Sequence, residues 1–331
     1  MRVDRRALLG TALAAGLAHR AAAQTPLPVT ERPLPGGLIE PAEFIDLWLN
    51  GAPGAPSTLP VETVIERSTD AQLTDRAVVG IVRPRMAVFR PSVPNGAAVL
   101  VTPGGGYVRV VVDKEGYELG HWLSARGFTV FVLFYRLPGD GWAAGPDVAL
   151  SDAQRAMRLI RHRARDYGID PERVAAMGFS AGGHLAADLG TRFSASTYAP
   201  VDAADGLPAR PFALAAIYPV VSMTAPVAHP GSREQLIGRD APAEREHAHA
   251  PHLNVPGDAP PFFVIHAEDD DVVPVENALL LRAALRDRGI PVETHLFTHG
   301  GHGFGLRKVI GKPAGAWPEL FVTWARAAGL A

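Results

Sequence analysis

The chain has no cysteine, which removes disulfides, cysteine nucleophiles, thiolate metal sites and thioether lipid anchors together. A redox or zinc role would have to rest on histidine and carboxylate alone. Charge is scarce as well, since only 20% of the 331 residues are Asp, Glu, Lys or Arg, and 32 basic against 34 acidic residues leave a formal net charge of −2. Nothing in that balance marks a nucleic-acid binder. The apolar run Ala7 to Ala18 is too short to cross a bilayer core, which needs about 20 residues. Stable membrane insertion is not expected. What the chain does have is 47% apolar residues, 34 Gly and 30 Pro, ample material for one large core and unlike disordered or collagenous sequence.

Arg5-Arg6, the apolar run behind it and Ala21-Ala22-Ala23 together resemble a twin-arginine export signal spanning residues 1–23. Its removal would leave a mature chain with 28 basic and 33 acidic residues, formal charge −5, in the periplasm or outside the cell. Residues 24–60 are rich in Pro and Gly and read as an arm laid over a domain. Within that arm Ala42 to Leu49 has the pattern of a short amphipathic helix.

From residue 61 to 331, apolar runs with β-branched residues alternate with helical patterns. Val78–Val82, Met86–Phe89, Ala97–Thr102, Thr129–Phe134, Val174–Met177, Ala213–Tyr218, Phe262–His266 and Val292–Phe297 read as strands. Ala149, Ala153, Ala156, Met157, Ile160, Ala164 and Tyr167 fall on one face of a helix that Gly168 is placed to end. Val275 to Arg288 behaves alike. Such alternation predicts an α/β domain with a mostly parallel central sheet and helices on both faces. Residues 222–259 lack strong periodicity and are too long for an ordinary connection, so a small cap or rim insertion is expected there.

The sharpest local signal is Gly178-Phe179-Ser180-Ala181-Gly182, a G-x-S-x-G between a predicted strand and a predicted helix. A nucleophile elbow needs small residues two before and two after the serine, because the tight turn brings backbones together. Asp270 and His302 follow in the order serine, acid, base, each just past a predicted strand, where open parallel sheets place their ligands. Glycines around His302, in Gly300-Gly301-His302-Gly303, leave its loop free to reach the serine. Asp269 and Asp271 flank Asp270 and stay open as alternatives for the acid. Thr102-Pro103-Gly104-Gly105-Gly106-Tyr107 follows another strand, and the N–H groups of Gly105, Gly106 and Ala181 are the candidate oxyanion donors. Neither a G-x-G-x-x-G fingerprint nor a G-K-[ST] phosphate loop is present, and no cofactor is implied.

With Pro103-Gly104-Gly105-Gly106-Tyr107, Glu115-Gly116, Tyr135-Arg136-Leu137, Asp152 to Ala156, Gly178 to Leu185 and Val273-Pro274 in this order, the chain resembles the α/β-hydrolase superfamily, and within it the secreted esterases similar to acetylxylan esterases. The resemblance implies Ser180 as nucleophile, His302 as base, Asp270 as acid, and Gly105 or Gly106 with Ala181 as oxyanion donors. The offset of Asp270, four after His266 and three before Val273, is the one found in that family. Pro103 departs from the many lipase-like relatives with a histidine there. The implied activity is removal of short acyl groups, acetyl first, from a small-molecule or oligosaccharide ester. A prolyl-oligopeptidase-like serine peptidase and a non-catalytic carbohydrate- or ligand-binding relative are the alternatives.

Other conspicuous residues have plainer readings. Glu268 to Asp271 cannot all point one way, and no spaced calcium loop follows. His247, His249 and His252 read as a surface loop, so no metal site is expected. His184, one turn after Ser180, should pack beneath the elbow. Tyr107 and Glu115 are candidate substrate contacts, Glu115 alternatively a helix N-terminal carboxylate facing the dipole.

Overall fold

The computed structural model describes residues 40, 41 and 43–331. The export segment 1–23 and residues 24–39 of the arm lie outside the described residues. Eleven strands are described: β1 (Glu43–Asp46), β2 (Thr63–Glu66), β3 (Arg76–Val79), β4 (Arg85–Phe89), β5 (Ala98–Thr102), β6 (Val110–Val111), β7 (Thr129–Phe134), β8 (Val174–Phe179), β9 (Leu214–Ile217), β10 (Phe262–Ala267) and β11 (Val292–Phe297). Eight run side by side in the order β1-β4-β7-β5-β8-β9-β10-β11, and β2-β3-β6 form a small second sheet. From β7 through β11 every pairing is parallel, while β4 joins β7 and β1 joins β4 antiparallel. This is the α/β arrangement the sequence predicts.

The reason lies in the strand sequences. AVLVT of β5, TVFVLF of β7 and VAAMGF of β8 are buried at every position, as continuous apolar runs must be when helices cover both faces of a parallel sheet. Each such Leu, Val or Phe contributes roughly 1.5–3 kcal/mol on full burial. The helices are α1 (Glu118–Ser124), α2 (Val148–His162), α3 (Ala164–Tyr167), α4 (Ser180–Arg192), α5 (Pro230–Ile237), α6 (Ala243–Ala248), α7 (Glu276–Asp287) and α8 (Trp317–Ala327). None of the described helices is long and apolar enough to cross a membrane.

Two local expectations are corrected, and strand β2 had no expectation at all. Glu43–Asp46 is a strand, not part of a helix, because pairing with β4 in the register Phe44↔Ala87 and Ile45↔Met86 satisfies an edge that would otherwise stay open. Leu47 and Trp48 behind it enter the core, and the Trp48 indole donates to Asp152 at 2.8 Å. The long helix predicted to end at Gly168 is broken after His162, giving α2 and α3, although Gly168 takes the left-handed terminal position at φ 64°. Strand β2, exposed along its length, left no burial pattern to detect.

The 222–259 insertion folds as α5, α6 and a short 3-10 turn at Pro251–Leu253. Arg233 staples it from within, donating to the carbonyl of Met223 at 3.0 Å and pairing with Glu246 at 2.5 Å. His184 of α4 donates from Nε2 to the carbonyl of His249 at 2.8 Å, which ties the insertion to the helix that begins at Ser180.

Candidate functional site

Ser180 sits where β8 turns into α4, in the left-handed region at φ 53°. A non-glycine residue held there costs on the order of 1–3 kcal/mol. The glycines around it are dictated by space. A Cβ on Gly178 would stand 2.1 Å from the carbonyl oxygen of Gly182, and one on Gly182 would stand 2.1 Å from that of Thr102. The turn therefore closes only with glycine at both places, and it lifts the Ser180 hydroxyl into an adjoining cavity, leaving the residue 8% exposed.

The loop after β11 brings His302 to that hydroxyl. His302 Nε2 lies 2.8 Å from Ser180 Oγ, and its Nδ1 lies 2.7 Å from Asp270 Oδ2. Asp270 also accepts the N–H groups of Val272 and Val273 at 3.0 and 2.8 Å on Oδ1. Burial alone would raise its pKa, but hydrogen bonds from His266, His302 and Val273 together hold the carboxyl well below the usual carboxylate range. An ionised Asp270 accepts from Nδ1–H, which leaves Nε2 as acceptor for the serine proton.

The adjacent acids separate cleanly. Asp269 Oδ1 accepts the N–H groups of Gly300 and Gly301, each at 2.8 Å, and so fixes the loop that carries His302. Asp270 turns inward to the imidazole. The sequence reading missed His266 as a working residue: buried at the end of β10, it donates from Nε2 to the Val273 carbonyl at 2.9 Å and lies 3.2 Å from Asp270 Oδ2. Its offset of four from Asp270 was the available signal.

The N–H groups of the glycine loop differ in their partners. Gly104 N–H is taken by Glu115 Oε2 at 2.8 Å, whereas the N–H groups of Gly105 and Gly106 meet no acceptor among the described residues. Gly105 takes φ 136°, and a Cβ there would stand 2.1 Å from the carbonyl oxygen of Arg109, so only glycine fits. Behind the loop the Tyr135 hydroxyl donates to the Pro103 carbonyl at 2.7 Å. Both groups expected to meet substrate carry internal hydrogen bonds, and Glu115 also lines the cavity. Tyr107 is 1% exposed and its hydroxyl pairs with His184 Nδ1 at 2.8 Å. Glu115 is 3% exposed, in a π-helical turn at Asp113–Tyr117, and its other oxygen accepts the Tyr218 hydroxyl at 3.0 Å. They position the loop. His184 packs beneath the elbow as expected, burial lowering its pKa.

The cavity over Ser180 and His302 has a volume of about 500 Å³ and takes one wall from Gly105, Gly106 and Val108 and another from His229, Gly231 and Gln235 of the insertion. His229 Nδ1 accepts the Ser232 N–H at 3.1 Å, capping α5. Of the three clustered histidines, His249 is turned back to the Arg245 carbonyl at 3.0 Å, and among the described residues no group of three His, Asp or Glu side chains is arranged to hold a metal.

Comparison with known proteins fits this geometry. The chain is 33% identical over 234 residues to an acetylxylan esterase of Xylanibacter ruminicola, an alignment covering 68% of this chain and 44% of that protein. It is 34% identical over 205 residues to an endo-1,4-beta-xylanase B of Butyrivibrio fibrisolvens, covering 62% and 32% respectively. The chain thus spans less than half the length of these curated relatives. Among solved structures, an acetyl ester-xyloside bifunctional hydrolase of Caldicellulosiruptor lactoaceticus superposes with TM-score 0.73 at 32% identity, over 89% of this chain and 99% of that one. An esterase of Thermogutta terrifontis, at 22% identity, TM-score 0.63 and coverage of 83% and 98%, shares the fold. Residues 87–285, more than half of the chain, match the BD-FAE model, and the chain belongs to that family of α/β-hydrolases.

Proposed function

We propose that this chain is an exported serine carboxylic-ester hydrolase that removes short acyl groups, acetyl first, from carbohydrate esters. The observation that carries the reading is the unbroken hydrogen-bonded chain from Ser180 Oγ through His302 to Asp270, at 2.8 and 2.7 Å, in the wall of a cavity. His302 Nε2 takes the hydroxyl proton as Ser180 Oγ attacks the ester carbonyl carbon. The imidazolium so formed is stabilised by Asp270. Negative charge moves to the carbonyl oxygen, where the N–H groups of Gly105, Gly106 and Ala181 receive it. As the tetrahedral species collapses, the bond to the alcohol oxygen breaks and His302 returns the proton to it. Water, activated by the same imidazole, then hydrolyses the acyl-Ser180 ester and frees the acid.

Acetyl as the acyl group and a carbohydrate as the alcohol are supported by the names of the two relatives at 33% and 32% identity. Export is supported by Arg5-Arg6 and the Ala21-Ala22-Ala23 site. A fluorophosphonate probe and a panel of acetylated xylo-oligosaccharides, aryl esters and proline peptides test the reading. Covalent labelling lost in Ser180→Ala, with acetate released from the sugars, is the expected result. An unlabelled wild type would identify a binding protein, and cleavage of proline peptides with the sugars untouched would identify a peptidase.

A further inference from the structure

Four cationic side chains, Arg67, Arg109, Lys114 and Lys308, line the cavity that holds Ser180 and His302. Two carboxylates, Glu115 and Glu234, line it too, and both are engaged. Glu115 receives Gly104 N–H and the Tyr218 hydroxyl, and Glu234 pairs with Arg239 at 2.8 Å. Arg67 pairs with Asp75 at 3.5 Å. Among the described residues the side chains of Arg109 and Lys308 have no hydrogen bond or ion pair. Lys114 is the telling case. It is only 4% exposed, it has no hydrogen bond among the described residues, and the nearest carboxylate oxygen, Glu115 Oε1, is 3.9 Å from Nζ.

The Lys114 side chain is walled in by the fold, and its ammonium approaches Glu115 only to 3.9 Å, so an anion in the cavity would supply the close partner it lacks among the described residues. Its place is informative, because a Cβ on Gly303 would stand 3.3 Å from Lys114 Nζ, so the ammonium lies beside the residue that follows His302. Lys308 feels it, its pKa being lowered first by the charge of Lys114 and then by burial. The two ammoniums repel, and an anion between them would relieve both. Overall charge does not explain the cluster, since the chain is net negative.

We propose that the cavity receives a carboxylate carried by the ester substrate, held by Lys114, Lys308 and Arg109, so that acidic esters are preferred over neutral ones. The inference rests on the ester-hydrolase reading and narrows it. The carboxylate has two possible carriers, a uronic acid beside the acylated sugar or a dicarboxylic half-acid as the acyl group.

The experiment measures kcat/KM at low salt for matched pairs. One arm compares an acetylated oligosaccharide bearing a uronic acid with its carboxyl-methylated form, and the other compares a hemisuccinyl ester with the acetyl ester of the same neutral sugar. An acidic-over-neutral preference of about tenfold in either arm, eroded by added salt, is expected from a desolvated charge pair. Arg109→Gln and Lys308→Gln should each draw that ratio toward one. A ratio of one in both arms, with Ser180-dependent turnover intact, overturns the proposal and leaves the ester reading standing. Binding is read independently on Ser180→Ala by calorimetry with glucuronate and its methyl ester. Tighter binding of the acid, lost in Ser180→Ala/Lys308→Gln, supports the site even where turnover is absent, and equal binding of the two overturns it.

Discussion

Glu115 Oε2 accepts the Gly104 N–H at 2.8 Å while Oε1 accepts the Tyr218 hydroxyl at 3.0 Å, and that tyrosine oxygen in turn receives the Gly305 N–H at 3.1 Å. One buried carboxylate therefore joins the glycine loop to the loop carrying His302. Glutamine offers a single acceptor oxygen, so in Glu115→Gln either Gly104 N–H or the Tyr218 hydroxyl faces an amide N–H. A small displacement of the loop is expected to lower kcat by roughly 10²-fold with little change in KM. Steady-state kinetics decide it: a change in KM alone would mean that Glu115 meets the substrate.

Because Ser180 and His302 share one proton, their substitutions should not multiply. Ser180→Ala and His302→Ala are each expected to lower kcat by up to roughly 10⁶-fold, and the double variant by little more. Independent, multiplying losses would show that the pair does not act as a unit.

Asp270 holds the His302 imidazole, while Asp269 holds the loop backbone and the exposed His299 side chain. Asp270→Asn should thus cost about 10⁴-fold in kcat, since an amide no longer stabilises the imidazolium or fixes its tautomer. Asp269→Asn keeps an oxygen for the Gly300 and Gly301 N–H groups and should cost far less. A larger loss in Asp269→Asn would move the acid by one position.

Acyl length offers a test of the substrate reading. Among the described residues that line the cavity, the aliphatic side chains are three valines, Val108, Val111 and Val272, set among charged groups, which suits a short acyl group better than a long one. Each methylene in a pocket is worth about 1–3 kcal/mol, and kcat/KM for aryl esters should fall in a graded way from acetyl to octanoyl. Faster cleavage of the octanoyl ester would defeat the short-acyl assignment.

The parallel sheet was legible because its central strands are continuous apolar runs, and the elbow because steric closure permits only glycine at Gly178 and Gly182. Ser180, Asp270 and His302 were legible through their order and their places after strands, which are matters of topology. The internal hydrogen bonds of Tyr107 and Glu115 were not. Whether a side chain at a loop faces ligand or core is settled by partners distant in sequence, here His184 and Tyr218. The edge strand β1 escaped for the same reason, since four residues carry no decisive period and pairing with β4 chose their conformation. Lys114 stands in no motif, and it is the fold that buries it.

Stability should carry its own pH signature through Glu118. Its Oε1 lies 3.0 Å from Arg307 Nη1, but Oε2 is buried without a hydrogen bond among the described residues. Burial, only partly offset by Arg307, pushes its pKa up from 4.5 to about 7. Between these values the native state keeps a proton that the unfolded chain has released. The contribution of neutral Glu118 is therefore fully present below pH 4.5 and is lost as pH rises through about 7. Glu118→Gln stays neutral and keeps an oxygen for Arg307, so it should escape that loss. Relative to wild type, the variant should gain on the order of 2 kcal/mol between pH 5 and pH 8, read from urea unfolding at both values. An equal difference at the two pH values would show that Glu118 is ionised in the folded protein throughout.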